Sequence, residues 1–168
     1  MAFGHVGVAF FAVGITLTSV YSIEKDIRLA PGESHELGGY NFTFDKVNDI
    51  TGPNYSGSRG EITVTREGFE TVLHPEKRNY FSSGMPMTEA GIDAGFTRDL
   101  FVALGEPLGD GAWAVRLYHK PFIRWIWLGT IIMALGGFLA ATDKRYLRMA
   151  SRARRESSKG PITAGAAA

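Results

Sequence analysis

The sequence predicts an α+β membrane protein, with two transmembrane helices flanking a small, mainly antiparallel β barrel or sandwich. Three observations carry that expectation. Two uncharged apolar runs stand near the ends of the chain, Met1–Ile23 and Trp125–Thr142. Between them lie short alternating segments broken by Gly, Pro and Asn, the pattern of small antiparallel β folds. The charges are also sorted. Residues 22–120 hold fifteen Asp/Glu against ten Lys/Arg, a net of −5, whereas the chain after Thr142 holds seven Lys/Arg against two acids. The expected divisions are a transmembrane helix over 1–21, a β-rich periplasmic domain over 22–121, a second transmembrane helix over 122–142, and a basic cytoplasmic tail over 143–168, disordered at its end.

The first run, Val6–Val20 at its core, is long enough to cross a bilayer. A signal peptide would need a basic leader, yet the first basic residue is Lys25, and Ser19-Val20-Tyr21 is a poor cleavage site. The missing upstream charge leads us to expect that the chain begins inside a larger membrane protein. His5 is the most informative polar residue of this run, because an imidazole within a spanning segment is costly and faces protein, water or a ligand. Its helical face continues through Ala9, Ala12 and Thr16, small enough to let a flat group lie against the backbone. Two readings of His5 stand open: an axial ligand to haem iron, or a histidine near a helix end that bonds to a neighbouring helix.

Within the soluble stretch, Tyr21–Leu29 alternates imperfectly, with Ile23, Ile27 and Leu29 as inward positions. Ala30-Pro-Gly-Glu33 is a turn. Tyr40, Phe42 and Phe44 fall on one face of a strand that follows a Gly38-Gly39 turn and runs to Val47. Thr51–Ser58 is expected to be a loop. Glu61–Arg66 and Phe69–His74 form a hairpin about Glu67-Gly68, and Pro75 confines the second strand to an edge or an end. Met85–Phe96 is ambiguous and is assigned to strand and loop. Asp99–Leu104 and Ala112–Tyr118 form a last pair, joined by the glycine-rich Gly105–Gly111.

The second apolar run begins after Lys120-Pro121 and carries an aromatic belt of Tyr118, Phe122, Trp125 and Trp127. Gly136-x-x-x-Ala140 and Gly137-x-x-x-Ala141 suit either close helix contact or a lipid-facing surface. The basic cluster that follows (Lys144, Arg145, Arg148, Arg152, Arg154, Arg155 and Lys159) reads as a cytoplasmic topology anchor rather than a nucleic-acid site.

Few residues offer catalysis. The absence of cysteine excludes disulfides, Cys-ligated zinc and haem attachment to this chain through Cys-x-x-Cys-His. His35, His74 and His119 lack metal-ligand spacing and read as strand-face or solvated histidines. No G-x-S-x-G frame surrounds Ser56, Ser58, Ser82 or Ser83, so a nucleophile elbow is unsupported. The glycines of Gly105–Gly111 do not open a helix, which argues against nucleotide binding. Glu89 and Asp93 read as surface charge, and Arg98 and Asp99 suggest no reaction by themselves. The soluble domain therefore reads as a binding or scaffolding module.

Several long strings are family-specific: Met1–Gly7, Val47–Tyr55, Glu76-Lys-Arg-Asn-Tyr80, Met87–Gly95, Thr97–Leu100, Ala103–Glu106, Met133–Gly137 and above all Trp113–Trp127. They resemble the C-terminal part of CcmF, the large membrane subunit of the bacterial cytochrome c haem lyase, over nearly the whole chain to about Arg148. The resemblance implies an inner-membrane protein whose β-domain is periplasmic and whose C-terminus is cytoplasmic. It implies that His5 is one of two transmembrane histidines that ligate a structural haem b, shared with the missing upstream part. It also implies that haem b reduces the transferred haem. The implied partners are the remainder of the haem lyase subunit, the haem chaperone CcmE, a CcmH-type component, apocytochrome c and membrane lipid, with no nucleic acid. The family's tryptophan-rich motif, its other transmembrane histidine and its two periplasmic histidines do not occur in this chain, so the piece is not expected to be catalytic alone. Where His119 stands the family pattern has tyrosine, and no ligand role transfers to it. The alternative is a two-pass membrane scaffold whose periplasmic β-domain binds a partner without haem.

Overall fold

A computed structural model of the protein describes residues 2–82 and 84–142. The basic tail expected over 143–168 lies outside the described residues. In chain order the elements are α1 (Ala2–Tyr21), β1 (Ile23–Leu29), β2 (Ser34–Leu37), β3 (Tyr40–Thr51), β4 (Tyr55–Arg66), β5 (Phe69–Leu73), β6 (Glu76–Tyr80), β7 (Pro86–Glu89), β8 (Gly91–Ala94), β9 (Arg98–Gly109), β10 (Ala112–Pro121) and α2 (Ile123–Thr142).

The strands form two antiparallel sheets. One has the order β1-β10-β9-β8, and the other the order β2-β3-β4-β6-β7, with β5 also paired to β4. The period-2 alternation of the strands aims apolar side chains from both sheets at one another. Phe42 and Phe44 from β3, Ile62 and Val64 from β4, Leu100, Val102 and Leu104 from β9, and Val115 and Leu117 from β10 are all buried in this single core. The domain is thus a sandwich, with Tyr40, Phe42 and Phe44 on the inner face that their spacing predicts. In β1, however, Ile23 is exposed, so of its expected inward positions only Ile27 and Leu29 pack on the core.

The strands run further than the sequence suggests. The expected loop over Thr51–Ser58 shrinks to residues 52–54, where the Gly52 amide donates to the Tyr55 carbonyl at 2.8 Å. Gly57 lies inside β4 because a Cβ there would sit 2.0 Å from the Lys77 carbonyl oxygen, which a side chain cannot do. Likewise β9 continues through Gly105 and Pro107 to Gly109, and the turn needs only Asp110 (φ 50°) and Gly111 (φ 74°), the two left-handed residues of a type I′ hairpin. Pro75 does interrupt its strand. Pairing against β4 then resumes in unchanged register, since Ile62 faces Leu73 and Arg59 faces Glu76. At the break the Gly60 amide donates to the Pro75 carbonyl at 2.8 Å, so only the amide that proline lacks is lost from the ladder. The ambiguous Met85–Phe96 region resolves into β7 and β8, on the edges of different sheets.

Glycine decides how α1 and α2 meet. The buried residues of α1 are Gly7 and Gly14, and those of α2 are Gly129 and Gly136. A Cβ on Gly129 would lie 2.5 Å from the Phe11 amide nitrogen, and one on Gly136 would lie 2.7 Å from that of Gly4. Each pair is seven residues apart, two turns of helix, so both glycines of a pair present on one face. Gly136 is therefore a contact residue, whereas Gly137 has open space on its Cβ side. The outer surfaces stay apolar and exposed, including Phe3, Val8 and Ile15 on α1 and Trp127, Ile131 and Phe138 on α2. Such faces are stable only against lipid or further protein.

The helices join the sandwich almost without linkers. Only Ser22 separates α1 from β1, and only Phe122 separates β10 from α2. Ser22 caps α1 by donating from its amide (3.0 Å) and hydroxyl (2.6 Å) to the Thr18 carbonyl. Phe122 takes a left-handed φ of 55°, and its amide donates to Thr97 while its carbonyl accepts from the Trp125 amide. The Thr18 hydroxyl donates to the Pro121 carbonyl at 2.8 Å, tying one helix to the strand that leads into the other.

Candidate functional site

His5 lies on the first turns of α1, beside a groove between the helices of about 370 Å³ whose lining includes Val8, Met133, Gly136 and Gly137. The imidazole is exposed rather than packed beneath neighbours. Ala9, Ala12 and Thr16 are exposed as well, so the face that continues from His5 is small and open along the helix. The Thr16 hydroxyl is satisfied by the Ala12 carbonyl at 2.8 Å and puts no unpaired polar group on that face. A planar, mostly apolar group with one metal bond would fit here: His5 offers a nitrogen ligand, and the small side chains offer a bed. The other histidines lie on the sandwich, His35 on β2, His74 after β5 and His119 on β10, whereas Met133 lines the same groove as His5. Among the described residues, no group of three His, Cys, Asp or Glu is arranged to hold a metal ion.

A second polar centre lies where the sandwich meets the helices, and the sequence reading did not assemble it. Arg98 at the start of β9 reaches across to β3 and donates from Nε to the Tyr40 hydroxyl at 3.0 Å. It also pairs with the Asp93 carboxylate and stacks on Phe69, 4.7 Å from the ring centroid. Arg66 lies over the other aromatic edge of this group, 4.9 Å from the Tyr40 centroid. Burial alone would raise the Tyr40 phenol pKa, but the two guanidiniums outweigh it and hold the group below its ordinary value. The His119 ring is tilted by 32° against Tyr40, with centroids 5.9 Å apart. Burial pushes the His119 pKa down, and the charges of Arg98 and Arg66 push it the same way. Its Nδ1 is buried without a hydrogen-bond partner among the described residues. Gly38 (φ 60°) closes over this imidazole, for a Cβ there would come within 2.9 Å of His119 Cγ.

This cluster holds the two sheets together at their helix-proximal end. Arg98 supplies the hydrogen bond that crosses from β9 to β3, and the His119 ring packs on the same tyrosine from β10. Its members lie at positions 40, 66, 98 and 119, and no spacing rule links them. The one signal available was the inward phase of Tyr40 on β3.

Comparison with known proteins follows from this geometry. Residues 20–121 match the family model described as the CcmF C-terminal beta-sandwich. The cytochrome c-type biogenesis protein CcmF of Pseudomonas aeruginosa is 58% identical over 147 residues, 87% of this chain and 22% of that protein. CcmF of Escherichia coli is 53% identical over 152 residues, 90% of this chain and 24% of that protein. The cytochrome c-type biogenesis protein ccl1 of Rhodobacter capsulatus is 44% identical and matches 97% of this chain and 25% of its own length. A solved structure described as cytochrome c heme lyase CcmF superposes with a TM-score of 0.67 at 23% identity, over 80% of this chain and 23% of that one. The chain thus spans about a quarter of the length of these relatives.

Proposed function

The chain belongs to the CcmF family, whose C-terminal β-sandwich it carries with a helix on either side, and from that premise we propose that it is the C-terminal part of a membrane assembly that matures cytochromes c. In this reading His5 would hold a haem b through an imidazole nitrogen, shared with upstream spans. Ala9, Ala12 and Thr16 give the ring its bed. The haem, when bound, supplies one-electron transfer. The residues of this chain bind and orient it and keep water from one of its faces. The carrying observation is the exposed imidazole at the head of an exposed small-residue face.

The sandwich then sits on the periplasmic side of the inner membrane, above the site of haem attachment. There it meets CcmE, a CcmH-type component and apocytochrome c. The basic tail holds the C-terminus in the cytoplasm. A periplasm-active reporter inserted at the Asp110-Gly111 turn should be active, and one fused after Arg155 silent; the reverse pattern refutes the orientation. For His5 the test is the Soret band of the purified assembly, with the upstream spans present. His5→Ala should weaken or shift that band. A spectrum left unchanged refutes the ligand reading, and an assembly that never contains haem favours a two-pass scaffold.

A further inference from the structure

A groove of about 530 Å³ runs from the outer face of the β1-β10-β9-β8 sheet onto α2. Its upper wall is Phe96 and Phe101, and its lower wall is Ile123, Trp127, Leu128 and Ile131. Trp127 is 69% exposed and Phe96 65% exposed, so nothing in the described chain covers either. The lower wall is one side of a spanning helix and continues the surface that meets lipid tails.

The charges sit at the junction of the two walls. Arg124 is bonded to Asp99 through Nε alone, at 3.3 Å, and half of its side chain is exposed, with its terminal nitrogens unengaged among the described residues. Lys120 lies 5.6 Å from the Phe101 ring centroid and 5.0 Å from that of Tyr118, with no carboxylate partner among the described residues. The Asp99 carboxylate also accepts the Gly95 amide at 3.1 Å. Two cations therefore face one carboxylate that is already shared. With Lys120 at the rim beside Phe101, the charges around the groove sum to +1 where α2 begins, next to its apolar lower wall.

We infer that this groove is a selective site for an anionic phospholipid of the leaflet on the sandwich side. One acyl chain lies along Trp127, Leu128 and Ile131. The phosphate meets Arg124 and Lys120, where charge-assisted bonds to phosphate are strong. A zwitterionic lipid would bring its own cation to the same place and gain less. The inference is independent of haem, because none of these residues lies near His5 on the sequence or in its groove.

The test uses the full chain, purified and placed in nanodiscs, with Trp113→Phe and Trp125→Phe leaving Trp127 as its one tryptophan. The probes are phosphatidylglycerol and phosphatidylcholine with brominated acyl chains, which quench an indole they touch. Phosphatidylglycerol should be preferred by roughly fivefold to thirtyfold, the gain expected from one or two interfacial cations. Lys120→Gln with Arg124→Gln should bring the two lipids to equal quenching. Asp99→Asn, which frees Arg124 and keeps the hydrogen bond from Gly95, should raise the preference. Equal quenching in the parent would overturn the inference, as would a preference that survives loss of both cations. Absence of quenching by either lipid would show the groove to be covered by protein, which also overturns it. If the single-tryptophan chain does not fold, the parent chain gives the same comparison from the phosphatidylglycerol-to-phosphatidylcholine ratio that copurifies with it and with the Lys120/Arg124 variant.

Discussion

Glu76→Gln should loosen the sandwich by about 2–4 kcal/mol at neutral pH. Glu76 is 5% exposed and is the register partner of Arg59 across β4 and β6. One carboxylate oxygen accepts from Arg59 Nε and its terminal nitrogen at 2.6 Å, and the other accepts from Arg78 Nε at 2.6 Å. A bond to a charged group contributes roughly 1.5–3 kcal/mol when well placed. The half-exposed Arg59 side chain can turn to water, so its share belongs at or below the low end. The amide keeps the shape and one acceptor, but aims N–H groups at a guanidinium. With an m-value of about 1–2 kcal/mol/M for a domain of this size, the urea midpoint should fall by roughly 1–4 M. It can be followed by Trp113, which packs on the core, in the full chain in detergent. Acid gives a second readout. Burial opposes ionisation of Glu76, but Arg78 and Arg59 outweigh it and hold the pKa below the model-compound value of 4.5. A carboxylate depressed in the folded state stabilises above its unfolded pKa, and that stabilisation is lost as pH falls through the folded value. The gap between parent and variant should therefore be full at pH 7 and close below pH 4.5. A variant within about 0.5 kcal/mol of the parent, or a gap that persists in acid, refutes the reasoning.

Two further substitutions probe other parts of the structure. Gly129→Leu places a Cβ 2.5 Å from the Phe11 amide nitrogen, where ordinary contact begins near 3.4 Å. The helices must part by about 1 Å, enough to forfeit a quarter to a half of the dispersion attraction across the seam. Spin labels on introduced cysteines, one per helix in a chain with no native cysteine, should report a longer and broader distance, and an unchanged distribution refutes the glycine seam. His119→Tyr should flatten the pH dependence of sandwich stability below about pH 6.5, the pKa of an unfolded histidine. The folded pKa is depressed by burial and by Arg98 and Arg66, so the unfolded state takes up the proton first and stability falls as pH drops through that window. A slope that the substitution leaves intact refutes this assignment.

Where burial follows simple alternation, the strands could be read directly. Phe42 and Phe44 on β3 and Val102 and Leu104 on β9 declare their inward phase. The segments that escaped reading bury few apolar side chains. Ser34–Leu37 is held by backbone pairing to β3, and Glu76–Tyr80 by pairing and by ion pairs from Glu76 to Arg59 and Lys77 to Glu106, so their composition resembles loop. Gly57 and Gly105 read as punctuation, yet each sits in a strand where another backbone comes too close for a side chain. The helix contact was legible only at Gly136, which stood in a small-residue spacing, because Gly7, Gly14 and Gly129 reveal their role only when paired across two distant runs. His5 stood out because an imidazole in an apolar run is costly. The Tyr40–Arg98–His119 cluster did not, since it depends on register between strands that no local pattern reports.

The single-residue junctions at Ser22 and Phe122 have a mechanical consequence. A domain on long tethers would sample many orientations and could not sense what its anchors do. Here each tether is one residue long: Ser22 is bonded back to Thr18 of α1, Phe122 is bonded to Thr97 on one side and Trp125 on the other, and the two are cross-braced from Thr18 to Pro121. Any tilt or rotation imposed on the helix pair by neighbouring spans must be passed to the sandwich as rigid-body motion, with little lost to slack.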